Sequence, residues 1–255
     1  MKEIYCWSGG KDSTASIILS HVMGVEPGTI IFSEVMFDKD ISGELPEQVE
    51  FIREKAIPTF EGWGFSVEIL HAKETYLDLF YKVNQGKKHP ERKGKYYGFP
   101  IAGKCIINDR CKMNPIRQYM KSIQGDYTEY VGIAIDEPKR LARLNGTTKI
   151  SLLAKYGYTE QMAYDLCNEF DLLSPVYEFS KRGGCWFCPN ARDCELRHTR
   201  NTHPTLWNKL LQLENEPNLI GNMWNALQQK SIHDKEEQFR LEDAQMTIFD
   251  FIKEE

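Results

Sequence analysis

Two stretches of this chain gather residue types that do chemistry only when a fold holds them together. The first is Ser8-Gly9-Gly10-Lys11-Asp12-Ser13-Thr14. Backbone N–H groups of a glycine-rich turn converge on one point, and a helix starting there adds positive potential, so such turns cradle phosphate. Ser8, Ser13 and Thr14 add hydroxyls and Lys11 a cation; Asp12 serves as a Mg2+ ligand or as a helix cap. The string is not the P-loop of glycine, four residues, then Gly-Lys-Ser/Thr, because Tyr5 stands where the first glycine belongs and Asp12 follows Lys11. The second stretch runs from Cys185 through Cys188 to Cys194. A Cys-x-x-Cys turn lets two sulfurs reach one metal, Cys194 offers a third, and Cys105 or Cys111 completes a four-cysteine set; iron–sulfur and tetrahedral Zn2+ both satisfy the spacing.

Other reactive residues have plainer readings. Cys6 and Cys167 fall inside an apolar strand and a helical run, Glu160 to Glu169, and read as core. His198 and His203 flank the cysteines and read as helix-start or surface residues. The basic stretch Gly86 to Lys95 reads as a solvated loop before it reads as a contact for an anionic substrate.

The elements that must position these groups follow from patterning. Residues 2 to 7 form a strand that breaks at the glycines and continues as a helix. Further strands are expected at Thr29 to Phe37, Phe65 to Leu70 and Tyr127 to Ala134, with an amphipathic helix from Pro46 to Phe60 and another starting near Asn114-Pro115. Strands alternating with helices predict an α/β fold: a Rossmann-like, doubly wound, mostly parallel sheet with ligands at the carboxyl ends of its strands. Glu34 and Asp38, at the end of the second strand, are there expected to bind ribose or a Mg2+ that bridges phosphates. Beyond about Phe179 a small Cys-containing helical region is expected, with helices at Pro204 to Glu214 and Asn218 to Gln228, then a charged linker from Lys235 to Asp243 and a flexible tail over about 235–255. The two domains are thus 1–178 and 179–255.

Composition narrows the class. The 255 residues carry 41% hydrophobic and 12% aromatic residues, enough for a sizeable core and against global disorder. With 32 Lys+Arg against 37 Asp+Glu, the net charge of -5 opposes a chain that grips nucleic acid by overall electrostatics. No apolar run reaches the roughly 18 residues that cross a bilayer. The chain therefore reads as cytoplasmic, with no membrane partner, and its seven cysteines as thiolates for a metal or for redox work rather than a disulfide framework.

Ser8-Gly9-Gly10-Lys11-Asp12-Ser13 matches the Ser-Gly-Gly-x-Asp-Ser signature of the PP-loop (HUP-type) family, the adenine nucleotide α-hydrolase-like enzymes. Gly132-Ile133-Ala134-Ile135-Asp136-Glu137-Pro138-Lys139-Arg140 resembles the Gly-Ile-Arg-x-Asp-Glu-Ser-x-Arg segment of the phosphoadenosine phosphosulfate (PAPS) reductase-like branch. Cys111-Lys112-Met113-Asn114-Pro115-Ile116 is similar to its Lys-Ile-x-Pro helix entry, and Leu173 to Tyr177 to another recurring stretch. The resemblance implies a loop from Ser8 to Thr14 that binds an adenine nucleotide, ATP or PAPS, with Lys11, Asp12 and Ser13 in the chemistry. It aims Lys112, Lys139, Arg140 and Arg143 at phosphate or sulfate, since such oxyanions need paired donors. Similar enzymes hold a [4Fe–4S] cluster, which favours iron–sulfur over Zn2+ for Cys105, Cys111, Cys185, Cys188 and Cys194.

The implied activity is nucleotide-dependent sulfur transfer or sulfonucleotide reduction, with a sulfur donor or thiol reductant as partner. Assimilatory reductases end in Glu-Cys-Gly-Leu-His, whereas this chain has no cysteine after Cys194, so Asp193-Cys194-Glu195-Leu196 is the nearest counterpart of the attacking thiol. Gln245-Met246-Thr247-Ile248-Phe249 resembles the peptide by which bacterial DNA-processing proteins dock on the sliding clamp, which would make nucleic acid or its precursor the substrate; an apolar tail packed on its own domain is the plainer reading. The competing class is a non-catalytic nucleotide-binding adaptor with a structural zinc and that tail as its docking peptide.

Overall fold

The computed structural model describes residues 1–101, 105–225 and 228–252, with side chains described as far as Gln245. The first strand, β1 (Lys2–Trp7), buries Ile4, Tyr5 and Trp7 and leads through the glycines into α1 (Lys11–Val22), buried continuously from Ser13 to Ser20. Next come β2 (Thr29–Glu34), α2 (Pro46–Glu50), a π-helical segment (Phe51–Ala56) and α3 (Ile57–Gly62). Phe51, Ile52, Ala56 and Phe60 recur at helical spacing along that run and all are buried, which is why it packs as one amphipathic element. β3 (Ser66–His71), α4 (Tyr76–Phe80), β4 (Tyr96–Gly98), a second π-helical segment (Asn108–Met113), α5 (Asn114–Ser122) and β5 (Tyr127–Val131) follow. Then come α6 (Pro138–Leu141), β6 (Lys149–Ile150), α7 (Leu152–Lys155) and α8 (Glu160–Glu169), and lastly α9 (Asp193–Thr202), α10 (Pro204–Glu214), β7 (Leu219–Gly221) and α11 (Ile232–Ile252).

The main sheet has the order β3-β2-β1-β5-β6, and every neighbouring pair is parallel. The chain winds outward from β1 through β2 to β3, then returns to the other side of β1 as β5. The strand order therefore reverses at β1, and the crevice at its carboxyl end is the switch point where doubly wound sheets take ligands. This is the α/β class expected from the sequence. β4 and β7 form a separate parallel pair.

One buried cluster joins β1, β2 and β5 to α1, α3, α7 and α8 through Tyr5, Trp7, Phe32, Phe60 and Leu153. A second joins Val35, Phe37 and Tyr76 to Trp186, Phe187, Trp207 and Phe239, so the residues after 179 share a core with loops of the sheet.

Three sequence expectations are corrected. The strand starting at Thr29 stops at Glu34, because Gly43 donates to the Val35 carbonyl at 2.6 Å and Phe37 to that of Ile41 at 2.8 Å, folding a tight loop. Asn218 to Gln228 is not a helix: Leu219–Gly221 pairs with β4, and Asn225 bridges Lys230. The charged stretch Lys235 to Asp243 is helical within α11, because Phe239 is fully buried and Arg197 and Arg200 pair with Glu236, Glu242 and Asp243. Residues 246–249 of the Gln245–Phe249 peptide have side chains outside the described residues. Among the described residues no helix is long and apolar enough to cross a membrane.

Candidate functional site

The glycine loop is braced from within. Ser13 Oγ accepts from the Ser8 amide at 3.1 Å, lies 3.0 Å from Ser8 Oγ and donates to the Gly10 carbonyl at 3.0 Å. Gly9 has φ +74° and sits so close to Gln48 that a Cβ would stand 2.5 Å from its Nε2, which explains glycine there. Gly132, just past β5, would place a Cβ 2.4 Å from the Ser13 nitrogen, so the last turn of that strand presses directly on the first turn of α1. The N-cap of α1, Gly10, brings no side-chain cap, leaving the helix start facing the cavity. Thr14 serves otherwise: it is buried, and its Oγ1 accepts from Trp7 Nε1 at 2.9 Å.

A cavity of about 590 Å³ opens over this loop. Lys11 reaches across its mouth, its Nζ 2.7 Å from Asp12 Oδ1 and 3.1 Å from Glu160 Oε2. Burial lowers the Lys11 pKa, but the two carboxylates outweigh it and hold the charge on. Burial raises the Asp12 pKa; Lys11 offsets part of that, and Glu160 and Glu137 add to it, leaving Asp12 above the ordinary range. Lys112 and Arg140 also line the cavity, the latter 2.5 Å from Glu137. Lys181 and Arg182 complete five cations against four carboxylates, Asp12, Glu44, Glu137 and Glu160, among the described lining residues. This wall suits an anion with several charges, held by paired donors.

Three of the five candidate thiols share this cavity. Cys105, Cys185 and Cys188 line it, with Cys188 donating its amide to the Cys185 carbonyl at 2.9 Å and Arg182 Nη2 3.9 Å from Cys188 Sγ. Burial, then the neighbouring Glu44, holds the Cys185 thiol well above its ordinary pKa. Cys111 lies behind the wall, fully buried, with Sγ 3.3 Å from the Glu74 carbonyl, and burial pushes its pKa up to about 11. Cys194 is exposed in the first turn of α9 and does not line the cavity. Sulfurs around one tetrahedral zinc stand about 3.8 Å apart. No three cysteine sulfurs among the described residues lie within 4.8 Å of one another.

Other expected residues lie elsewhere. Glu34 is buried and turned away, with Arg53 Nη2 at 3.0 Å and His71 Nε2 at 2.9 Å from its Oε2, in a neighbouring groove bounded by Pro46 and Val49. Asp38 Oδ1 accepts the amides of Asp40 and Ile41 at 2.9 and 2.7 Å and so staples a loop. Lys139 and Arg143 are exposed and outside the cavity lining. Cys6 contacts Glu129, which pairs with Lys149, and Cys167 donates to the Lys11 carbonyl at 3.2 Å.

Glu44 and Tyr177 also line the cavity. Glu44 is only 8% exposed, and its carboxylate has no hydrogen-bond partner among the described residues. Burial raises its pKa, with Lys112 offsetting part of the rise. Tyr177, the last residue of the Leu173 to Tyr177 stretch, accepts the Lys11 amide on its hydroxyl at 2.9 Å.

No family model matches the chain. An uncharacterized nin region protein of Escherichia phage lambda is 33% identical over 96 residues, 37% of this chain and 32% of the relative. An uncharacterized protein of Methanocaldococcus jannaschii is 25% identical over 218 residues, 80% of this chain and 45% of the relative. The chain thus spans less than half the length of either curated relative. Among solved structures it is similar to a phosphoadenylyl-sulfate (PAPS) reductase from Candida auris in a phosphate complex, with a TM-score of 0.48 and 13% identity, over 73% of this chain and 82% of that one.

Proposed function

We propose that this chain is a PAPS reductase-like PP-loop enzyme that binds an adenine nucleotide, ATP or PAPS, over its glycine loop and carries out nucleotide-dependent sulfur transfer or sulfonucleotide reduction. One observation carries the reading: the loop from Ser8 to Ser13 and Cys105, Cys185 and Cys188, far apart in sequence, line the same cavity. Phosphate oxygens take the open amides at the start of α1, with the Ser8 and Ser13 hydroxyls beside them. Lys11 and Arg140 face the charge that grows on the leaving group, and Asp12 is the loop carboxylate that meets Mg2+. Lys112, beside Glu44, holds the far end of the nucleotide or the second substrate.

The three thiols suit a metal centre, iron–sulfur before zinc, with the fourth ligand from Cys111, from Cys194 or from outside the chain. When bound, such a centre supplies electrons or a site for sulfur. Around it, Arg182 offsets negative charge at Cys188, and Phe187 and Val35 exclude water.

The ATP-using version is favoured by the position of Cys194, since PAPS reduction needs a thiolate that can attack the sulfate sulfur, and Cys194 lies outside the lining. In that version an oxygen of the second substrate attacks the α-phosphorus, the bond to pyrophosphate breaks, and a sulfur nucleophile then displaces AMP. Anaerobically purified protein given each nucleotide separates the two. Pyrophosphate release from ATP in the presence of the acceptor supports the first version, sulfite release from PAPS with thioredoxin supports the second, and failure to bind either nucleotide removes the proposal.

A further inference from the structure

We propose that Glu47, His198 and His203 form a second metal site, which takes one divalent cation of the zinc class through two imidazole nitrogens and a carboxylate, with water completing the coordination. The residues converge from separate places: Glu47 from the first turn of α2, His198 from the middle of α9, and His203 from the single-residue junction between α9 and α10. Their ligating atoms all lie within 4.8 Å of one another. His198 Nε2 is 2.5 Å from Glu47 Oε1, and His203 Nε2 is 2.7 Å from Glu47 Oε2, so both rings present the same nitrogen to one carboxylate.

The His198 ring and the His203 backbone are held before any ion arrives. His198 stacks on Phe179 with ring centroids 3.6 Å apart and planes within 5°. His203 donates its amide to Thr199, and its carbonyl accepts from Leu206 and Trp207, so it caps both helices at once. Bonds of about 2.0–2.1 Å in a tetrahedral site put ligand atoms about 3.3 Å apart, well inside the 4.8 Å within which these three ligating atoms lie. The side chains are 16% to 25% exposed, which leaves room for water at the remaining position. Two imidazoles and a carboxylate select zinc, cobalt or nickel over calcium or magnesium, which want oxygen alone.

None of the three residues lines the cavity of the glycine loop, and none is a cysteine. The site nevertheless touches that loop through its neighbour. Gln48 donates from Nε2 to the Gly9 carbonyl at 3.2 Å and accepts the Ser174 hydroxyl on Oε1. An ion at Glu47 ties α9 and α10 to α2, and α2 backs the nucleotide loop. Its role is therefore to stiffen that backing rather than to touch substrate.

Cobalt(II) titration of the 255-residue chain, followed by visible absorption, tests the site. The expected result is one cobalt with the weak bands of a nitrogen–oxygen site, beside any cobalt that the thiols take, those weak bands being retained in Cys185→Ser and their binding weakened about 10- to 100-fold in His198→Ala and His203→Ala. Zinc should raise the melting temperature of the wild-type chain and of Cys185→Ser but not of the histidine variants, whose folding is checked by far-UV circular dichroism. Wild-type protein that binds no cobalt, that binds it only with strong thiolate charge-transfer bands, or that binds it unchanged after either histidine is replaced overturns the proposal and leaves a hydrogen-bonded clasp.

Discussion

The hydroxyl of Tyr177 accepts the backbone amide of Lys11 at 2.9 Å, across 166 residues of sequence. A tyrosine distant in sequence thus stands in for the first acceptor the helix start needs. A phosphate oxygen can take its place, which yields a test. Tyr177→Phe leaves that amide without a partner and should cost about 1 kcal/mol in the free protein. Nucleotide should then raise the melting temperature more in the variant than in the wild type, as differential scanning fluorimetry would read; equal shifts would oppose a phosphate at that amide.

Gly132 marks where β5 meets α1. A Cβ there would lie 2.4 Å from the Ser13 nitrogen and 2.5 Å from the Asp12 carbonyl carbon, so Gly132→Ala must push the two backbones apart. Urea unfolding should show a loss of about 1–3 kcal/mol, accompanied by weaker nucleotide binding.

The sequence made the loop legible because its chemistry is contiguous: glycines, hydroxyls and a lysine in one turn, after a strand. The rest of the lining was not legible, because Glu44 and Arg182 reach it from loops and Tyr177 from a single 3-10 turn, whose direction no local pattern sets. Glu34 shows the physical limit. Side chains alternate along a strand, and a strand-end position does not say which face the carboxylate takes. Here Ser33 bonds the Lys112 carbonyl at 3.0 Å while Glu34 turns to Arg53 and His71. Charge density made α11 read as a linker, since its acidic residues find Arg197 and Arg200 only after folding.

That docked helix has a pH signature. The Arg200 hydrogen bond holds the Glu236 carboxyl below its ordinary range, against the opposing effect of burial and with help from Trp207. In the window between the lowered folded value and about 4.3, the ordinary value for glutamate, the unfolded chain binds more protons than the folded one. The stabilisation is therefore complete above that window and lost as pH falls through it. Glu236→Gln should flatten the acid limb of a stability–pH curve; an unchanged limb would count against the docked arrangement.

Lys11→Ala and Asp12→Asn remove the paired charges at the cavity mouth. Each should lower turnover by roughly 10²- to 10³-fold with an unchanged far-UV circular dichroism spectrum. Full activity in both would mean that the loop does not carry the chemistry.

The central claim is that a nucleotide's phosphates sit on the start of α1 with its reacting end turned toward Cys185 and Cys188. A crystal structure of the anaerobically prepared protein with ATP or PAPS tests it directly. The account predicts phosphate oxygens within hydrogen-bond distance of the amides between Gly10 and Ser13. A nucleotide bound elsewhere, with the Lys11 amide still on the Tyr177 hydroxyl, would contradict it.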